Sequence, residues 1–139
     1  MTDRLDPRGV RFAAAVTTVV LAIVLLTGSG VLAALQALVF AVPVVAGMRW
    51  SPYGALYRVL IAPRLGPPSD REDAAPVRFS QAVGLLFTVV AAVGYLSGAT
   101  ALGIVATAFA LAAAFLNAAF GFCLGCEVYG LLARVRTAR

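Results

Sequence analysis

Cys123 and Cys126 are the only two cysteines of the chain, and they stand in C-x-x-C spacing within Gly121-Phe122-Cys123-Leu124-Gly125-Cys126-Glu127. Two thiols at this spacing can meet across a turn or the first turn of a helix, which is what dithiol–disulfide exchange requires. The reactive species is the thiolate, so the local field decides whether the pair does chemistry. A helix C-terminus raises a thiol pKa, whereas the free N–H groups of a helix N-terminus favour the thiolate. Glu127 beside Cys126 opposes ionisation, and the nearby arginines favour it. We therefore expect redox exchange or sulfur transfer at this pair. If Cys126 or Glu127 caps the helix that follows, Cys126 is the better nucleophile and Cys123 resolves. Other uses stay open. The cysteines could be small packing residues at a kink beside Gly121 and Gly125. They could supply two ligands of a zinc site, completed by Glu127 or by a second copy of the chain. They could also guard one end of a path in a scaffold or a small sulfur-species transporter.

The rest of the composition narrows the chemistry. Of 139 residues, 62% are apolar and only 12% charged, and mean hydropathy is +0.96. A soluble domain carries about a quarter charged residues, roughly twice this share. Disorder is excluded too, because disordered chains are poor in apolar residues. The chain belongs in a lipid bilayer. It contains no His, which removes Ser-His-Asp and Cys-His catalytic pairs and His-held haem. The pI near 10.0 does not indicate nucleic acid, since six acidic residues accompany the basic ones.

Four apolar stretches must position the pair: about Phe12 to Leu26, Val31 to Met48, Phe79 to Leu96 and Ala101 to Phe122. Each approaches the roughly 17 to 25 residues that cross a hydrocarbon core. They predict an all-α membrane protein with four spans. Thr27-Gly28-Ser29-Gly30 and Ser97-Gly98-Ala99-Thr100 read as tight, uncharged turns. All eleven basic residues are Arg, and all lie before the first span, in the central connection or after the fourth. The positive-inside rule then places both termini in the cytoplasm, with a bacterial inner membrane as the setting. Gln36, Gln81 and Asn117 are polar residues within or near the spans, expected to hydrogen-bond between helices. Asn117 does not share a helical face with Cys123 and is not assigned to its site. Trp50, Tyr53, Tyr57 and Tyr129 fit an aromatic belt at the cytoplasmic interface.

A tandem repeat is readable. Val10-Arg11-Phe12 returns as Val77-Arg78-Phe79, and Tyr53-Gly54-Ala55-Leu56-Tyr57-Arg58-Val59 returns as Tyr129-Gly130-Leu131-Leu132-Ala133-Arg134-Val135. The chain reads as one membrane domain, with a first repeat of about residues 10–63, a linker over 64–76 and a second repeat of about 77–136. A cleaved signal peptide is the competing reading of the first stretch, and it would destroy this symmetry. Each repeat closes with a short interfacial helix. The first is capped by Ser51, led by Pro52 and stops near Pro63, with Tyr53, Leu56, Val59 and Leu60 on one side. The second runs from about Glu127 to Val135. Between Gly121 and Tyr129 the second repeat has two residues more than the first has between Gly47 and Tyr53, and the cysteines fall there.

Asp6-Pro7-Arg8-Gly9-Val10-Arg11-Phe12, Val77-Arg78-Phe79-Ser80-Gln81 and Gly121-Phe122-Cys123-Leu124-Gly125-Cys126 together resemble the small bacterial membrane proteins grouped as domain of unknown function 4395. The resemblance covers nearly the whole chain. It implies a multi-span membrane protein of actinobacterial type that associates with thioredoxin-like or sulfurtransferase proteins, and it carries no established activity. Within it, Cys123 and Cys126 are the positions where a role is expected. No cofactor is required by the residues. A quinone would suit a thiol protein, but the few polar residues define no site for one. A homo-oligomer is compatible with the sequence.

Overall fold

The computed structural model describes residues 4–5, 7–47, 50–65, 72–120 and 124–137. The described chain is helical apart from one pair of two-residue strands, β1 (Arg4–Leu5) and β2 (Glu72–Asp73), which run antiparallel with Arg4 opposite Asp73. The helices are α1 (Pro7–Thr27), α2 (Gly30–Ala46), α3 (Pro52–Leu60), α4 (Ala62–Leu65), α5 (Ala74–Ser97), α6 (Thr100–Phe120) and α7 (Leu124–Thr137). Three of them, α1, α5 and α6, are long and apolar enough to cross a membrane. The 17-residue α2 is apolar but shorter.

Local chemistry sets these limits. Pro7 opens α1 and Pro76 lies in the first turn of α5, where a missing N–H costs nothing. Both helices therefore begin earlier than the apolar stretches suggest, and α5 takes in the end of the expected 64–76 linker. That linker also contains part of α4 and the strand β2. Both tight turns form where the small residues predict them. Gly28 and Gly98 adopt φ of +67° and +91°, a region glycine enters without strain. The Ser29 side chain then caps α2 by accepting from the Leu32 amide at 3.1 Å.

The two hairpins pack differently. The α5–α6 hairpin is tight: a Cβ placed on Gly94 would lie 2.6 Å from the Gly103 backbone nitrogen. The α1–α2 hairpin makes far less contact with itself. Instead α1 packs along α6 and α2 along α5, so the four helices form a ring in the order α1, α6, α5, α2. Small residues allow these approaches, with Gly84 meeting the Phe40 ring and Gly30 and Gly103 meeting the Tyr95 side chain. The core is a band of Val24, Ala33, Ala91, Ala92 and Ala106. The outer faces of the ring carry large exposed apolar side chains such as Leu38, Leu86 and Phe109, as a bundle bathed in lipid requires.

Candidate functional site

The N-terminal ends of α1 and α5 and the C-terminal ends of α2 and α6 meet at one end of the bundle, and α3 and α7 lie there. Two hydrogen bonds define this end. Arg11 donates from Nη2 to the Ala118 carbonyl oxygen at 3.2 Å. Arg78 donates from Nε to the Val44 carbonyl oxygen at 3.0 Å, and its Nη2 also donates to that oxygen. Ala118 and Val44 lie in the last turns of α6 and α2, where carbonyls lack intrahelical partners and a cation complements the helix dipole. Each arginine thus caps the second helix of the opposite half of the chain. The adjacent phenylalanines hold the short helices of their own half: Phe12 against Tyr57 and Phe79 against Tyr129, both with ring centroids 5.8 Å apart.

Helix α3 is wedged against the splayed hairpin. Ser51 caps it as expected, accepting from the Gly54 amide at 3.3 Å, with Pro52 at its first position. Tyr57 is only 3% exposed and lies across Gly9, whose ideal Cβ would be 3.0 Å from the ring. Tyr53, one turn earlier, donates its hydroxyl to Gln36 Oε1 at 2.6 Å. This corrects the expected grouping of Tyr53 with Leu56, Val59 and Leu60 on one side of α3. Leu56, Val59 and Leu60 are exposed, whereas Tyr53 and Tyr57 turn inward and belong to the packing rather than to an exposed aromatic belt. Gln36 makes the interhelical bond expected of it, while Gln81 and Asn117 are half-buried on α5 and α6. The signal for the Tyr53–Gln36 bond was the unmatched amide itself, since a Gln this deep must find a partner.

Burial raises the Tyr53 pKa above its usual 10.0. A raised phenol pKa in the folded state means the neutral form is the one that stabilises. That contribution is complete below about pH 10 and is lost as pH rises through the folded value. Ionisation also removes the proton donated to Gln36. The absorbance titration of the native protein near 295 nm should therefore contain a late-ionising contribution from Tyr53, and Tyr53→Phe should remove that contribution. An unchanged titration in Tyr53→Phe would contradict the buried placement.

The thiol pair lies at the α6–α7 junction. Cys123 is outside the described residues. Helix α7 starts at Leu124, so Cys126 and Glu127 fall inside its first turns and neither is the cap. The earlier start removes the ground for preferring Cys126 as nucleophile. Cys126 and Glu127 still belong to the N-terminal part of a helix, where backbone N–H groups are in excess. From there α7 runs past Tyr129, packed on α5, and exposes Val128, Leu131, Leu132 and Val135, with Arg134 and Arg136 in its last turn. Among the described residues no cluster of three or more His, Cys, Asp or Glu is placed to hold a metal.

The family described as "Domain of unknown function (DUF4395)" matches residues 5–134. The chain belongs to this family. The match spans both hairpins, α3, the cysteine pair and α7 as far as Arg134 of this DUF4395 chain, so the capping arginines and the thiols fall within one family unit. No curated protein and no solved structure matches the chain.

Proposed function

We propose that this DUF4395 protein is a membrane thiol protein whose Cys123–Cys126 pair exchanges with a thioredoxin-like or sulfurtransferase partner on the cytoplasmic side. The observation that carries the reading is the placement of the chain's only two cysteines. They have exchange spacing, and Cys126 lies in the first turn of α7 at the end of the bundle that holds the arginines. In the exchange, one cysteine thiolate attacks a disulfide sulfur of the partner, and the partner's other sulfur leaves as a thiolate and takes a proton. The second cysteine, once deprotonated, attacks the mixed disulfide. The reduced partner departs, and the pair has passed on two electrons and become a disulfide. The same steps in reverse, with a dithiol partner, reduce it again. A sulfurtransferase would present a persulfide instead, its outer sulfur passing to the attacking thiolate as the carrier cysteine leaves.

The topology that suits this reading is four spans, with α2 as the shortest, in two tandem hairpins related by an axis along the membrane normal. The paired contacts support it. Arg11 and Arg78 are equivalent residues of the two halves, and each caps an equivalent position of the opposite half. The Arg-free turns then face outward across a bacterial inner membrane, and both termini stay in the cytoplasm. A membrane-impermeant maleimide tests both parts. In inverted vesicles it should label the pair after reduction and fail after oxidation. Intact cells should protect the pair from it. Labelling from the outer side would overturn the orientation, and no labelling under any condition would overturn the thiol reading.

A further inference from the structure

The centre of the bundle contains polar atoms that neither thiol chemistry nor packing uses. The buried face of α2 is Gly30, Ala33, Gln36, Ala37, Phe40 and Pro43, and that of α6 is Gly103, Ala106, Thr107 and Ala110. Gly30 and Gly103, from these two helices, both lie against the Tyr95 side chain, so the two faces approach one central space from opposite corners of the ring. Gln36 and Thr107 sit one layer below, each about 10 Å along its helix from the turn end. Gln36 is 1% exposed and Thr107 fully buried. Gln36 Oε1 is taken by Tyr53, but its Nε2 has no partner, nor has Thr107 Oγ1. In the layer above, the Tyr95 hydroxyl is also buried and unpartnered. The other two helices add Thr17 and Thr88 to the buried polar set, though the Thr88 hydroxyl is satisfied by the Gly84 carbonyl at 2.8 Å.

Unpaired polar atoms in a membrane core cost on the order of 1–3 kcal/mol each, and native bundles satisfy them. The side-chain amide nitrogen can only donate, whereas the two hydroxyls can donate or accept. An oxygen atom is what all three can meet. We propose that the bundle centre is a binding site for an oxygen-bearing guest held between Gln36 Nε2 and Thr107 Oγ1. A water would accept from the amide and donate to the threonine. The carbonyl oxygen of a lipid-soluble molecule would accept from both. Tyr53 joins the site to the charged end of the bundle, because it fixes the Gln36 amide from α3 through its oxygen and leaves the buried nitrogen unpartnered. The site is independent of the thiol pair and stands or falls separately from it.

Solid-state NMR of the full chain, labelled with ¹⁵N only at glutamine and reconstituted in phosphatidylethanolamine–phosphatidylglycerol vesicles, tests this directly. The chain has one other glutamine, Gln81, so Gln36→Met assigns the signals. Magnetisation transfer from water to the Gln36 side-chain amide, lost in Thr107→Val and kept in Thr107→Ser, identifies the guest as water. A dry amide that shifts on addition of menadione, with the shift lost in Thr107→Val and kept in Thr107→Ser, identifies a carbonyl guest. An amide that neither receives water magnetisation nor responds to menadione overturns the proposal. So does a response that persists in Thr107→Val.

Discussion

A single serine substitution in the thiol pair is expected to stop exchange completely and to leave its partner attached. When the resolving cysteine is the one replaced, the attack still occurs but the mixed disulfide cannot be cleared. A reductant-sensitive adduct of higher mass should then accumulate on non-reducing gels of the membrane fraction. The other single variant and the double variant should show none. The sign of the comparison also assigns the roles. An adduct in Cys126→Ser makes Cys123 the attacking thiol, and an adduct in Cys123→Ser makes it Cys126. Two features of α7 act on this choice in opposite directions. Its N-terminal N–H groups stabilise a thiolate, and Glu127 in its first turn disfavours one. Identical behaviour of wild type, both single variants and the double variant would remove thiol exchange from consideration.

The largest effect on stability is expected at Gly94. A Cβ there would stand 2.6 Å from the Gly103 nitrogen and 3.1 Å from the Ala99 carbonyl oxygen. Both are backbone atoms, which cannot rotate away, so α5 and α6 must separate. Gly94→Val should cost about 3 kcal/mol or more, at the upper end of what overpacking produces. Unfolding in mixed detergent micelles with increasing dodecyl sulfate would measure it. Gly98→Ala should act through the backbone instead, because that residue has φ of +91° with open space around it. A loss at Gly98 of about 1 kcal/mol, well below that at Gly94, separates conformational strain from steric separation. Equal losses would mean that the tight hairpin does not exist in the membrane.

Much of this architecture can be read from residue order because a bilayer leaves few alternatives. Hydropathy and the small uncharged turns place the α1–α2 and α5–α6 corners within a residue, since Gly28 and Gly98 are needed where the chain reverses. The cap at Ser51 and the proline after it likewise fix the start of α3. What composition does not reveal is which partner each inward residue meets. Arg11 and Arg78 read as topology signals, yet each guanidinium also caps a carbonyl more than thirty residues away. Tyr53 reads as an interfacial aromatic, but its ring direction depends on the α1–α2 gap, a tertiary feature with no local signature. The start of α7 is hidden for a different reason: no Ser, Thr, Asp or Asn precedes Leu124 in Gly121-Phe122-Cys123, so the motif that suggests chemistry does not also announce the helix.

The crossed arginine contacts have a consequence for any chain of half this length. One hairpin alone would hold an arginine with no carbonyl to reach and a helix end with no cation, both at the same face. Two such hairpins would satisfy each other only by pairing side by side in the same orientation. Each half of the present fold therefore depends on the other for the cation at its last helix end. Hairpins expressed as separate polypeptides should still find one another, whereas either expressed alone should be cleared by the cell.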